Sequence, residues 1–335
     1  MISNSNKMST DISPTELKQK SYKWDIVWRN VFLITTVHLA GLYGVYAKYY
    51  FIPKWQSFVF NVAQIIFQGM GITAGRHRLW SHRAYKAHYS VQIFLAIMAA
   101  SVYEQSIYLW CRDHRLHHIH SDTDADPYNS QRGFFFCHIG WFFLRKHPEI
   151  TRKGAKVDLS DLRANPVVMF EHKYNKPLAI IFTLLLPCVI PILCWNERVE
   201  VAVFYCCFWR LLLILHATWS VNSFAHLYGW RPYDANIPPA ENTFVSFASG
   251  GEGFHNYHHT FPWDYKAAEL SGDSRNITTA FIDTLAKFGL VYDRKSASRG
   301  IIKQRIERTG NEDFLGSKNN VLNTFISIIA LIIIV

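Results

Sequence analysis

Four stretches of the chain are apolar for long enough to cross a bilayer, which takes about 20 residues as helix. The first runs over 31–51 and closes on Tyr46, Tyr49, Tyr50 and Phe51, an aromatic cluster suited to a membrane interface. The second, Trp55 to Gly75, carries no charge, and the short Ile52-Pro53-Lys54 link predicts that the two form a helical hairpin. The third, Pro177 to Asn196, contains Pro187 and Pro191; membrane helices tolerate such prolines, so it predicts a kinked span. The fourth is Val201 to Val221. Val91 to Tyr103 is also apolar but too short to cross, and predicts a helix buried in, or lying on, the polar part. The isoleucine-rich run Val321–Val335 is short for a span and predicts an anchor or a packing tail.

Basic residues set the orientation. The segment Gly75–Lys176 carries fifteen Lys and Arg, whereas the hairpin links carry very few. Basic loops stay cytosolic, so both termini and the two segments 76–176 and 222–310 are expected on that side. The first thirty residues lack the order of a secretory leader, so insertion is expected to rest on the internal segments. The predicted organisation is a polar tail over 1–28, a folded domain over 29–310 and a tail over 311–335. Arg210 falls near the middle of the fourth span and is expected to face the bundle interior and pair there.

Half of the 335 residues are hydrophobic, yet the mean hydropathy is close to zero, as apolar spans joined by polar segments require. The net charge of +10 suits an anionic partner or anionic lipid. The Lys and Arg are scattered rather than blocked, which argues against nucleic acid. The six cysteines form no C-x-x-C pair and read as small hydrophobes.

Most of the sixteen histidines fall in three compact groups. These are His77-Arg-Leu-Trp-Ser-His82, His114-Arg-Leu-His117-His118 and His255-Asn-Tyr-His258-His259. Spacing i, i+3, i+4 stacks imidazoles on one side of a helix. His77 and His82 are five apart and converge best if the helix ends or bends between them. His226 follows the fourth span, one turn after Asn222. A lone histidine is usually structural, and His38, His88, His120, His138, His147, His172 and His216 are read so. Two such triplets are different, because burying that many unpaired imidazoles is costly. Eight or nine imidazoles overfill one tetrahedral site, so two ions are implied. Imidazole alone suits zinc, copper, iron or nickel. An all-nitrogen site with an open position, placed where a lipid tail could reach it, favours iron and oxygen chemistry. The predicted fold class is an all-α integral membrane protein, with four transmembrane helices under a cytosolic helical cap holding a dimetal site.

Five motifs together resemble the animal acyl-CoA desaturases, the insect members most. They are Gly71-Ile-Thr-Ala-Gly-Arg-His-Arg-Leu-Trp-Ser-His82, Arg112-Asp-His-Arg-Leu-His-His118, Arg132-Gly-Phe-Phe-Phe, Asn222-Ser-Phe-Ala-His226 and Gly251-Glu-Gly-Phe-His-Asn-Tyr-His-His259. The likeness runs from about Trp28 to about Gly310. It implies an endoplasmic-reticulum enzyme that uses O2 and electrons from cytochrome b5, with its NADH-dependent reductase, to place a double bond in a fatty acyl-CoA. Unsaturated fatty acids, or pheromone precursors as in some insect members, would be the products. The resemblance further implies two irons. One is held by His77, His82, His114, His118 and His258, the other by His117, His226, His255 and His259, with a water on Asn222. It places substrate contacts at Asn30, Gln105, Arg112, Asp113, Arg145, Lys146 and Trp219. Arg112, Arg145 and Lys146 are of the right chemistry for CoA phosphates. Trp110, Trp141 and Trp219 are candidates to line an acyl tunnel.

The chain departs from the family pattern at Glu104-Gln105-Ser106, where Gln-Asn-Asp is common. Arg76 replaces a small residue, and His216 an asparagine. None is a ligand position, so these departures bear on chain length and double-bond position. No His-Pro-Gly-Gly haem motif appears, so the electron donor is expected to be a separate protein. The competing readings are a membrane hydroxylase or acetylenase, a metal transporter and a catalytically silent scaffold. Intact ligand positions oppose the scaffold, and few ionisable residues within the spans oppose the transporter.

Overall fold

The computed structural model describes residues 24–269 and 276–311. Most of the N-terminal tail and the Val321–Val335 run lie outside them. Among the described residues four helices are long and apolar enough to cross a membrane: Trp28–Tyr50, Trp55–Ser81, Pro166–Trp195 and Val201–Leu227. The chain is a multi-pass, all-helical membrane protein; among the described residues the one sheet is a small two-stranded pairing, Lys86–Ala87 against Val291–Tyr292.

Three of these helices outrun the expected spans. The second continues past Gly75 to Ser81, the third starts at Pro166 rather than Pro177, and the fourth passes Val221 to reach Leu227. Apolar length measures only what lipid needs, whereas helix length is set by caps. Asn165 Oδ1 accepts the backbone N–H groups of Val167 and Val168 at 3.0 and 3.3 Å, ahead of Pro166 in the first turn. The extensions carry polar residues out of the bilayer and into the cap.

The third helix is irregular, though not where Pro187 and Pro191 alone suggested. Its backbone leaves helical values at Tyr174, just before Pro177. A π-helical run then spans Ile180–Leu185, ahead of Pro187. Pro187 has no N–H to offer the carbonyl of Thr183, one helical turn earlier. That carbonyl instead accepts from Arg210 Nη2 at 2.7 Å. Arg210 is fully buried and also donates to Cys206 O, at 3.3 Å. Its partners inside the bundle are backbone carbonyls, one of them freed by proline.

At the end of the bundle away from the cap, the two hairpin links dock on each other. Glu197 accepts the N–H of Lys54 at 2.9 Å and the hydroxyl of Ser57. Trp195 Nε1 donates to the same hydroxyl at 2.8 Å. The short apolar helix Tyr89–Ala100 packs on the cap-side end of the second helix, within the main core cluster. His38, His216 and His138 form a hydrogen-bonded chain, with ring-nitrogen separations of 3.1 and 2.9 Å, that ends on Ser223 Oγ at 2.8 Å. Their satisfied contacts agree with a structural reading.

Candidate metal centre

Four elements from distant parts of the chain deliver the imidazoles. The end of the second helix, Gly71–Ser81, is π-helical, and the N–H of His82 donates to His77 O at 3.1 Å as the helix stops. This wider, i→i+5 turn sets residues five apart on one side of the helix and brings His77 and His82 together, their ring centroids 4.9 Å apart. The helix Ile107–Ile119 follows Ser106, whose hydroxyl caps it by accepting Leu109 N–H at 3.4 Å. It is polar yet largely buried, because its charged side chains are partnered. Arg115, for example, donates to Asp161 and to the carbonyls of Trp80 and Ser81. The short helix His255–Thr260 and His226, from the fourth long helix, complete the set.

The rings sort into two groups: His77, His82, His114, His118 and His258, and His117, His226, His255 and His259. Within each group, one nitrogen from every ring lies within 4.8 Å of the others. Membership is the same as that of the two sets expected from the resemblance. The triplets do not act as single faces. His114 and His118 serve one group while His117, between them, serves the other. His255 and His259 likewise part from His258.

Carboxylates behind the rings fix which nitrogen points inward. His77 Nδ1 lies 2.7 Å from Glu252, His117 Nδ1 2.9 Å from Asp126 and His226 Nδ1 3.1 Å from Asp122. A carboxylate accepts, so the proton of each neutral ring sits on Nδ1 and the Nε2 lone pair faces inward. Nε2 of His226 stands 3.0 Å from that of His255, and Nε2 of His77 2.9 Å from that of His258. His258 Nε2 is also 3.1 Å from His118 Nε2, while its buried Nδ1 has no hydrogen-bond partner. Lone pairs facing one another at these distances repel unless a cation lies between them. The donor set therefore fits a metal ion in each group.

Proton affinities agree. Burial first, then the neighbouring imidazoles, push His82, His114, His118, His258 and His259 well below the ordinary histidine range, so they stay neutral, the ligand form. His117 moves the other way: burial lowers it, but Asp126 outweighs that, as a partner that also strengthens the ring as a ligand. Burial raises Glu252, but Arg78 and His77 outweigh it and hold the carboxyl near 2. Arg78, itself buried, donates to Glu252 at 2.5 Å.

Sequence reasoning missed all three carboxylates. Glu252 had a signal in its flanking glycines. A Cβ on Gly253 would lie 2.2 Å from Asn242 O, so only glycine lets the strand of chain carrying Glu252 pass this close. Asp122 and Asp126 follow the second histidine group directly but sit in a turn, where acidic residues are common. Asp126→Asn is expected to lower metal affinity roughly ten- to hundred-fold, read as metal per chain after dialysis against a weak chelator. Unchanged retention would remove Asp126 from the metal's support.

A sequence model of the family described as fatty acid desaturase matches residues 53–268. The chain belongs to that family. Stearoyl-CoA desaturase of Sus scrofa is 48% identical over 294 residues, covering 87% of this chain and 80% of that protein. The Delta(9)-fatty-acid desaturase fat-6 of Caenorhabditis elegans is 47% identical over 295 residues, covering 88% and 86%. Human stearoyl-CoA desaturase is 48% identical over 296 residues, covering 88% and 81%.

Two apolar cavities of this desaturase meet at the first histidine group. One is lined by Ile34, Val37, Gln105, Trp141, Leu215 and Trp219 among others, the other by Gly69, Ile72, Thr73 and Ile214 among others. Trp110, His114, Thr218 and Asn222 line both, and so form the waist between them. Of the remaining expected substrate contacts, Asp113 gathers three: it accepts from Gln105 at 3.1 Å, from Arg112 at 2.7 Å and from Lys146. Arg145 stands apart, exposed and 2.6 Å from Asp25. Asn30 Nδ2 donates to Phe142 O at 2.8 Å.

Proposed function

We propose that this desaturase acts on fatty acyl-CoA at the endoplasmic-reticulum membrane, with its histidine groups holding two irons and cytochrome b5 supplying electrons. The observation that carries the reading is the meeting of both cavities at His114 and Asn222, beside inward-facing imidazoles. One saturated pair of carbons, O2, two electrons and two protons become one double bond and two waters. Bound irons would activate O2 and supply the oxidant that removes the two hydrogens.

The protein's own residues bind, orient and exclude water. Asp113 holds Arg112 and Lys146 and accepts from Gln105, which lines the first cavity, so a phosphate-bearing head group beside that cavity would have cationic donors to meet. The apolar walls keep water from the reacting carbons. The basic cytosolic face suits an acidic electron donor.

Expression in a desaturase-deficient yeast tests the reading, with double bonds located in the recovered fatty acids. Products short of two hydrogens support it; products that gain one oxygen would assign the chain to the hydroxylases instead. Arg145→Ala with Lys146→Ala is expected to raise KM for acyl-CoA by about ten-fold or more with little change in kcat, because phosphate contacts serve substrate and transition state alike. The effect should shrink as salt rises, since both side chains are partly exposed. A kcat loss at unchanged KM would place the pair at the chemistry.

A further inference from the structure

Two departures from the family pattern turn out to be partners. Arg76 is fully buried; its Nη1 lies 3.0 Å from Glu104 and its Nη2 donates to Ala99 O at 2.9 Å. Glu104 lines the first cavity beside Gln105 and Trp110, and its carboxylate faces the Trp110 side chain. Trp110 in turn stacks on His114, with ring centroids 4.8 Å apart and planes 16° from parallel. Arg76 directly precedes His77 in the chain. One ion pair thus links the helix end that carries His77 to the indole covering His114. Trp110 and His114 belong to the waist that both cavities share.

We propose that Arg76 and Glu104 are a positioning pair: by anchoring the Trp110 indole at the waist, they fix which two acyl carbons face the metal centre. The inference rests on the desaturase reading. An aromatic plate one bond rotation out of place would change how far an extended chain advances before it bends. Arg76 touches no substrate; it acts by holding Glu104, and Glu104 by holding the indole.

Single substitutions would leave one buried charge without its partner and confuse positioning with folding. Paired substitutions avoid this. Arg76→Met with Glu104→Gln removes both charges but keeps an oxygen that can accept the indole N–H. Arg76→Met with Glu104→Leu removes the charges and the acceptor. Trp110→Phe keeps a ring on His114 but deletes the N–H, and carries the test if the leucine pair fails to fold. Each is expressed as the full chain in desaturase-deficient yeast, with double-bond positions read by mass spectrometry and metal per chain measured in parallel. The expected result is one position from wild type and from the glutamine pair, at full metal content. The leucine pair and Trp110→Phe should yield a second position as at least about a tenth of product, a barrier difference of no more than ~1.4 kcal/mol. A single unchanged position in all variants overturns the proposal. So does a mixture from the glutamine pair, since the indole acceptor is then not what matters. Failure of the desaturase reading itself would look different: no double bond from wild type.

Discussion

His118→Ala is expected to abolish desaturation, and His259→Ala to do the same, while both proteins remain in the membrane. The two residues belong to different groups, and each group is built from four or five imidazoles held by separate elements. Among the described residues no further histidine joins either group to substitute. Losing only a partner behind a ligand typically costs ten- to hundred-fold, so losing the ligand should leave less than about a hundredth of wild-type turnover. Metal per chain should fall in parallel. His120→Ala is the control. His120 lies outside both groups, at the C-terminal cap of the helix that carries His118, and most activity should survive its loss. Wild-type turnover in His118→Ala, at normal expression, would refute the metal assignment.

Gly69→Tyr should shift preference toward shorter acyl chains while keeping the double bond at the same carbon counted from CoA. A Cβ at Gly69 meets nothing within 4 Å, and the residue lines the cavity beyond the waist. A bulky side chain there would fill space that the far end of the acyl chain needs and leave the metal ligands alone. Gly71→Ala should behave differently. Its Cβ would lie 2.4 Å from the backbone of Met98 and Ala99, so the cost falls on helix packing, typically ~1–3 kcal/mol for overpacking. Lower yield with an unchanged product profile is expected from Gly71→Ala. The reverse pattern is expected from Gly69→Tyr, measured with a mixture of acyl-CoA lengths. General loss of activity in Gly69→Tyr, with no change in chain preference, would leave that glycine a packing role only.

Much of this arrangement is local and so legible in one dimension. Four apolar stretches gave four long helices, and helical spacing gave the histidine groups, because both depend on neighbours a turn apart. The family motifs then named the chemistry. Helix ends were misplaced wherever caps and buried polar partners, rather than lipid, decided them, as at Asn165 and in the stretch from Gly75 to Ser81. Gly69, Gly71 and Gly75 look alike in sequence, but one opens on a cavity and one touches backbone. Nothing short of the packed fold separates those roles.

The same holds for pairs that bridge distant segments. The sequence marks Arg76 and Glu104 as two unrelated oddities, yet they form an ion pair across 28 positions of chain. It offers Glu252 as one acidic residue among many, yet that carboxylate orients His77 from 175 positions away along the chain, by the difference of their numbers. Residue type and spacing determine which groups can ligate or pair. Which of them meet depends on how helices pack, because long-range contacts are set by the sum of many side-chain volumes rather than by any local period.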